Sequence, residues 1–482
     1  MQHLSETLAR RVIAVDLDGT LVRSDMLVES MFLFLRAHPL HIFKLFAWLL
    51  HGKAFFKQSL ADRKRPDVRL LPYNHELIDW LEAQRAAGAQ LVLATASDLR
   101  IAREVAAHLG LFDDVMGTEG RNLASANKRD ALVQKYGHQG FEYVGNSAAD
   151  LAIWRVAAVS HLAEPEIGVL RRFRALGGQR GVVFDQRAPY LRVLRKALRM
   201  HQWSKNLLVF VPLVAVHRIA EPDLLLSGLL AFLCFGACAS SVYLLNDMFD
   251  LADDRQHRSK YRRPLAAGSF PVFHAMLLMP GLLVLAFAVA LCLLPAFFSA
   301  VLLGYYLLTL AYSLGLKRIV MLDVVVLAML YSVRVVAGAA AVQLPMTFWI
   351  LAFCMFIFLS LAFVKRYTEL HDAHQHGAPR KVLGRGYVAT DFPLLGSLGT
   401  TSGYLSVLVL ALYINDTTAQ RIYRHPEVMW MACPLLLYWL SRVWLLAHRG
   451  QMHDDPIVFA LRDRTSRWVG LFFILIFVLA AV

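Results

Sequence analysis

Two groups of carboxylates have types and spacings that could do chemistry. In residues 240–268, SSVYLLNDMFDLADDRQHRSKYRRPLAAG, Asn246, Asp250 and Asp254 recur every fourth position, so a helix would carry them on one face with Asp247 and Asp253 beside it. Mg²⁺ takes one or two carboxylates and completes its shell with water and substrate phosphate oxygens, so this face suits a diphosphate leaving group. Asn246, Asp247, Asp250 and Asp254 are the candidate ligands, with Asp250 and Asp254 the catalytic pair. The basic run Arg255, His257, Arg258, Lys260, Arg262 and Arg263 follows at once, and Lys260 and Arg262 could grip phosphate. A second reading of that run is that it marks only the cytoplasmic end of a membrane span. The other group is V-I-A-V-D-L-D-G-T-L-V at 12–22, where Asp16 and Asp18 follow an apolar strand. Two carboxylates one residue apart in an extended turn can serve as nucleophile and general acid while also binding metal.

The first group, N-D-x-x-D-x-x-x-D with a basic loop, resembles the first Asp-rich motif of the UbiA superfamily of intramembrane prenyltransferases. Flanking runs resemble its decaprenyl-phosphate phosphoribosyltransferase branch: M-H-Q-W-S-K-N at 200–206 with Lys205, H-R-S-K-Y-R-R-P-L-A-A-G at 257–268, V-K-R-Y-T-E-L at 364–370 and A-L-R-D-R at 460–464. The similarity covers roughly 190–482. The second group resembles the opening motif of haloacid dehalogenase (HAD) phosphatases, in which the first Asp forms an aspartyl phosphate and the second handles the leaving-group proton. That resemblance implies a tight turn at Gly19, a polar contact from Thr20, phosphate binding by Thr95 in Q-L-V-L-A-T-A-S, and charge neutralisation by Lys128. It also implies metal binding by Asp16, Asp18 and by Asp150 in Y-V-G-N-S-A-A-D. Asn146 stands where the family has a second acid, and an amide oxygen ligates without bringing charge. By itself Lys128 also reads as an ordinary surface lysine.

The elements that must position these groups differ between the two halves. At 482 residues the chain has room for several domains, and an apolar fraction of 57% marks a membrane protein. The net charge of +14 is spread between apolar runs and forms no stripe, which argues against nucleic acid and for lipid and substrate phosphate. The five cysteines lie in apolar stretches without framework or metal spacing. No secretory signal opens the chain, so the first domain is expected in the cytoplasm. Residues 1–163 alternate short apolar runs with helical patterns, as a parallel Rossmann-type α/β sheet requires, with a helical cap at about 24–88. Within the cap, 26–50 is apolar but too interrupted to cross a bilayer and reads as a buried or interfacial helix. Residues 164–190 are expected as a basic linker, and 191–482 as an all-α polytopic bundle opening on an amphipathic helix at 191–200.

About nine segments are long enough to cross: 204–217, 224–246, 273–293, 296–314, 320–342, 346–364, 393–413, 427–446 and 467–482. Connections at 254–263, 317–318, 365–385 and 447–467 are basic, which places them and the first domain on the cytoplasmic side of the inner membrane. An odd number of crossings then leaves Val482 outside. The UbiA resemblance implies a second acidic pair, but here Asp323 is followed by Leu327, and Arg334 lies three turns on, roughly on the Asp323 face. Ionisable residues in spans are costly and usually functional. Tyr312, Lys317, Asp323, Arg334, Lys365 and Arg366 are therefore candidate substrate-binding residues. Tyr367 and Glu369 end the same span, and Asp455, Arg462, Asp463 and Arg464 form a second-tier cluster.

These readings converge on Mg²⁺-dependent transfer of phosphoribose from 5-phosphoribose 1-diphosphate to polyprenyl phosphate in the membrane, the HAD-like domain removing the 5-phosphate. The branch resemblance adds a role in supplying a cell-wall arabinan precursor. Alternatives are an aromatic prenyltransferase using a polyprenyl diphosphate donor, and a HAD-like domain that only regulates or tethers. A homo-oligomer stays open.

Overall fold

The structure is a computed structural model and describes all residues except 1–10, 39–40, 121, 167, 177–178, 258–259, 376–385, 418–422, 453–454 and 482. Arg258, the 376–385 part of the third basic connection and Val482 thus lie outside the described residues. Two compact units are formed, Met1–Leu198 with Leu244–Leu278, and Arg199–Tyr243 with Met279–Val482.

The first unit is built on a six-stranded parallel sheet of order β3-β2-β1-β4-β5-β6. Strand β1 (Val12–Val15) is buried along its whole length, as an apolar run covered on both faces must be. The chain then leaves the sheet for three cap helices, α1 (Met26–Ala37), α2 (Ile42–Leu50) and α3 (Lys53–Ala61). Their own small core is Phe34, Leu45, Phe56 and Leu60. Helix α4 (His75–Ala86) is not cap, although the expected cap ran to 88. Its Leu77, Ile78 and Leu81 pack with Ile13, Val15 and Leu91 in the sheet core. There follow β2 (Gln90–Asp98), α5 (Leu99–Leu109), β3 (Asp114–Thr118), α6 (Ala126–Tyr136), β4 (Glu142–Gly145), α7 (Leu151–Trp154) and β5 (Val159–Ala163).

The stretch expected as a linker carries α8 (Val169–Arg174) and β6 (Gln179–Phe184), and β6 is the sixth strand, parallel to β5 with Val159 opposite Gln179. Helix α8 anchors through Val169 and Phe173, the latter edge-on to Trp154 at 4.9 Å. Strand β6 is an edge strand, and of its side chains only Phe184 is buried, so alternation was weak in the sequence. Helix α9 (Tyr190–Ala197) buries Val193 and Ala197 and keeps its basic residues outward.

In the second unit, 204–217 does not form the expected first long helix. Met200–Phe210 is a 3-10 run, followed by α10 (Val211–Ala215) with Pro212 in its first turn. Among the described residues eight helices are long and apolar enough to cross a membrane. They begin with α11 (Pro222–Phe249), whose last turn joins the first unit and leads into α12 (Leu251–Gln256). The rest lie in α13 (Val272–Leu293), α14 (Ala296–Leu314), α15 (Leu322–Ala341), α16 (Phe348–Gln375), α17 (Phe392–Ile414), α18 (Ala432–His448, extended by a 3-10 turn from Pro426) and α20 (Arg464–Ala481), with the short α19 (Pro456–Arg462) before the last. Helix α15 is the most enclosed, with 72% of its apolar window buried against 11% for α13. Gly338 on α15 lets the 3-10 run approach closely, since a Cβ there would collide with the Val209 carbonyl.

Candidate active sites

In the first unit β1 delivers Asp16 and Asp18 to the carboxyl edge of the sheet, where open α/β sheets bind ligands. Lys128, at the start of α6, is buried and donates to Asp16 Oδ1 at 2.8 Å and to the Tyr143 hydroxyl at 3.1 Å. It is no surface lysine. Asp16 Oδ1 also accepts from Leu17 N at 2.9 Å. Asp18 accepts from Met26 N at 2.8 Å and from Ser97 Oγ at 2.6 Å, with Thr95 Oγ1 at 3.4 Å. Ser97 is therefore the closer hydroxyl. Burial pushes the Asp18 carboxyl up to about 7, helped by Asp25 and Asp16. Burial likewise raises Asp16 to about 6 against the pull of Lys128, while the carboxylates of Asp16 and Asp150 keep Lys128 protonated.

Asp150 is buried in the turn after β4. Its Oδ2 accepts from Asn146 N at 3.0 Å and from Ser147 N and Oγ at 2.9 Å, and its Oδ1 accepts from the Tyr143 hydroxyl at 2.8 Å. Oδ2 thus carries three donors and Oδ1 one, and together they fix the turn that holds Asn146. The Asn146 amide lies over Gly19, at φ +71°, so closely that a Cβ there would collide with it. The Thr20 hydroxyl is buried and makes none of the expected polar contacts. Lys57 of the cap reaches Ala96 O at 2.6 Å and Asn122 Oδ1 at 3.0 Å. A cap lysine aimed at a sheet edge leaves no motif in the sequence.

The Asp-rich segment also belongs to the first unit. Helix α11 ends at Phe249, and the amide bonds Asp250 N to Asn246 O and Asp254 N to Asp250 O, 2.8 and 2.7 Å, carry the helical pitch into α12. Asp247 and Asp254 are buried, and Arg263 donates to both, at 3.2 and 2.6 Å. Burial raises the Asp254 carboxyl despite Arg263. Two buried carboxylates thus converge on one cation, Arg263, and among the described residues no three or more His, Cys, Asp or Glu side chains are gathered closely enough to hold a metal ion. Arg263, read only as part of the basic run, is the residue at the centre. Lys260 and Arg262 are exposed, Arg262 lying over the Tyr261 ring at 5.3 Å. Arg255 turns the other way. Its Nη1 and Nη2 bind Glu29 of α1 at 2.9 and 2.5 Å in a buried pair, and Phe32 lies edge-on to Phe249 at 5.6 Å.

The second unit holds a buried polar cluster. Asp323 and Arg334 are not partners: eleven residues along a helix is about 16 Å, so a shared face does not bring them into contact. Asp323 pairs with Arg366 and accepts from the Tyr387 hydroxyl at 2.5 Å, and Arg366 also binds Glu369 at 2.6 Å and the Tyr312 hydroxyl at 2.8 Å. Leu327, in place of a second acid, is core. Asp455 is the other hub, accepting from Lys205 at 2.8 Å, Lys365 at 2.9 Å and the Tyr331 hydroxyl at 3.0 Å. Burial would raise this carboxyl, but the two ammonium groups hold it well below the usual range. Arg334 binds Asn206 Oδ1 at 2.9 Å, the Tyr305 hydroxyl at 3.0 Å and the Leu330 carbonyl, all neutral acceptors. The Nδ2 of Asn206, itself buried, has no partner. Asp463 pairs with Arg442 and caps Ser466, a structural task, and Lys317 sits half-buried in the turn Leu316–Arg318.

Residues 207–462 match the UbiA prenyltransferase family, and 13–155 match the haloacid dehalogenase-like hydrolases. The chain belongs to the UbiA prenyltransferase family. This family member is an integral membrane enzyme fused to an N-terminal HAD-like domain. It is 36% identical over 468 residues to an uncharacterised protein, y4nM, of Sinorhizobium fredii, with 96% of this chain and 90% of that protein covered. Its second half is 31% identical over 287 residues to the decaprenyl-phosphate phosphoribosyltransferase of Mycolicibacterium smegmatis, covering 58% of this chain and 90% of that one. Among solved structures, a UbiA homologue from Archaeoglobus fulgidus bound to GPP and Mg²⁺ matches at 17% identity and a TM-score of 0.45, over 60% of this chain and 99% of that chain.

Proposed function

We propose that the enzyme transfers phosphoribose from 5-phosphoribose 1-diphosphate to a polyprenyl phosphate. The observation that carries this reading is the buried Arg334. A guanidinium held only by neutral acceptors, beside an unpartnered amide NH₂ and two lysines sharing one carboxylate, is an uncompensated positive site that an anion would complete. An aromatic acceptor brings no such charge, and a phosphate monoester does. The Asp-rich segment takes the donor diphosphate. Mg²⁺ bound there would neutralise charge on the departing group. The C1–O bond breaks with its electron pair on the diphosphate, a phosphate oxygen of the lipid forms the new bond to C1, and Lys260 is placed to take up charge near Asp254. Lys205, Arg334, Lys365 and Arg366 position the acceptor phosphate.

The lipid product retains a 5-phosphate, and the HAD-like site supplies the groups to remove it. Asp16 attacks phosphorus with Lys128 neutralising the phosphoryl oxygens, Asp18 gives its proton to the ribose 5-oxygen, and water then releases phosphate from Asp16. The basic connections favour the cytoplasmic side for both sites. The test is purified enzyme with Mg²⁺, polyprenyl phosphate and ring-labelled phosphoribosyl diphosphate. Label should enter the lipid and phosphate should be released from it, with release but not lipid labelling lost in Asp16→Asn. No labelled lipid from the wild-type enzyme would overturn the assignment.

A further inference from the structure

The cap carries a face that neither reaction uses. On α2 and the start of α3, Phe43 is 79% exposed, Phe46 63% and Leu50 88%, with Ile42, Leu49 and Phe55 also open. A helix that packs Leu45 and part of Trp48 inward and leaves Ile42, Phe43, Phe46, Leu49 and Leu50 uncovered calls for a second apolar medium. Charge says which one. Residues 36–65 contain seven Lys or Arg and a single acid, Asp62. Beside the apolar face, α1, α2 and α3 enclose a cleft of about 520 Å³ lined by Phe34, His38, His41, Lys44, Trp48 and Arg63, the last stacked on the Trp48 ring at 4.6 Å. Apolar aromatic side chains flanked by Lys and Arg, with an indole beside a guanidinium, are the composition of a helix lying in a lipid headgroup layer.

The same unit shows how the face reaches a bilayer. Helix α1 is fastened by Phe32 to Phe249 in the last turn of the membrane helix α11, and by the buried Glu29 to Arg255 of α12. The cap is therefore fastened to the end of α11 that belongs to its own unit. We propose that α2 and the start of α3 lie in the headgroup region of an anionic phospholipid bilayer, Phe43, Phe46 and Leu50 inserted and Lys44 and Arg63 on lipid phosphates. The proposal stands on the cap's surface and is independent of the reactions assigned above. The attraction of basic side chains to an anionic surface falls off within a Debye length, so attachment should respond to lipid charge and salt.

The full chain is reconstituted in nanodiscs of phosphatidylcholine alone or with phosphatidylglycerol, both carrying a diazirine-tailed phospholipid, and labelled peptides are mapped. Peptides spanning 42–56 should be labelled, several-fold more with phosphatidylglycerol, and less in Phe46→Ser/Leu50→Ser, while peptides of α13 label equally throughout. Labelling of 42–56 no higher than that of α4 in every lipid would overturn the proposal. So would protection of the face by a second copy, read as cross-links between 42–56 peptides of two chains in discs holding two protomers. Hydrogen exchange of β1 and β4 checks that the double variant is folded, so that lost labelling reports lost insertion.

Discussion

At the scale of single residues, the pairing of Lys128 with Asp16 and the neutral shell around Arg334 make opposite predictions about what each substitution disturbs. Asp16→Asn keeps the shape of the first site and removes its nucleophile. Phosphate release should fall by at least about 10³-fold, as loss of a nucleophile does, with lipid ribosylation unchanged. Arg334→Met removes a charge that no carboxylate balances, so the bundle should remain folded while ribosylation falls about 100-fold, the scale of one charge-assisted contact to phosphate. Asp323→Asn is the contrasting case: it leaves Arg366 buried against Glu369 and the Tyr312 phenol, and its cost should appear as about 3–5 kcal/mol of lost stability, read as a lower melting temperature in detergent. The sequence made Asp16, Asp18, Lys128 and the Asp-rich run legible because motif spacing survives folding. It hid the partners. Nothing local shows that Asp455 would gather Lys205 from 250 positions away, or that Arg366 and not Arg334 would meet Asp323, because side chains on neighbouring helices are joined by packing and not by period.

At the scale of elements, the joint between α1 and the segment after α11 is the one to break. Glu29 and Arg255 are both buried, so Glu29→Gln or Arg255→Met alone should cost about 3–5 kcal/mol, and the paired replacement less than the sum. Hydrogen exchange of 250–268 measures it, protection falling in each single variant. Residues 204–217, expected as the first span, fall in a run from 200 to 215 that is largely 3-10, whose greater rise per residue changes its reach. Eleven residues at about 2.0 Å and five at about 1.5 Å give roughly 30 Å, enough to cross the hydrocarbon layer. Reporter fusions decide it: a crossing there puts the two ends of the chain on opposite faces of the membrane, and its absence puts them on the same face. Strand β6 went unread for a different reason, since an edge strand with one inward residue has too little alternation to be seen among arginines and glycines.

At the scale of the whole molecule, acid should loosen the first unit from its sheet edge. Burial alone would raise the Glu142 carboxyl, but hydrogen bonds from His161 and Arg11 overcome it and hold it at about 2. Because the folded value lies below the unfolded one of about 4.3, this contribution is complete above that pH and is lost as pH falls towards 2. Melting curves from pH 6 to 2.5 should show the loss, and Glu142→Gln should flatten it. The grouping of Leu244–Leu278 with the N-terminal sheet, and not with the helices on either side of it in the chain, reaches further than any of these values. A fragment started at residue 199 would carry its acidic loop without the cap that Phe249 and Arg255 lean on, so gene truncation cannot dissect this fusion cleanly.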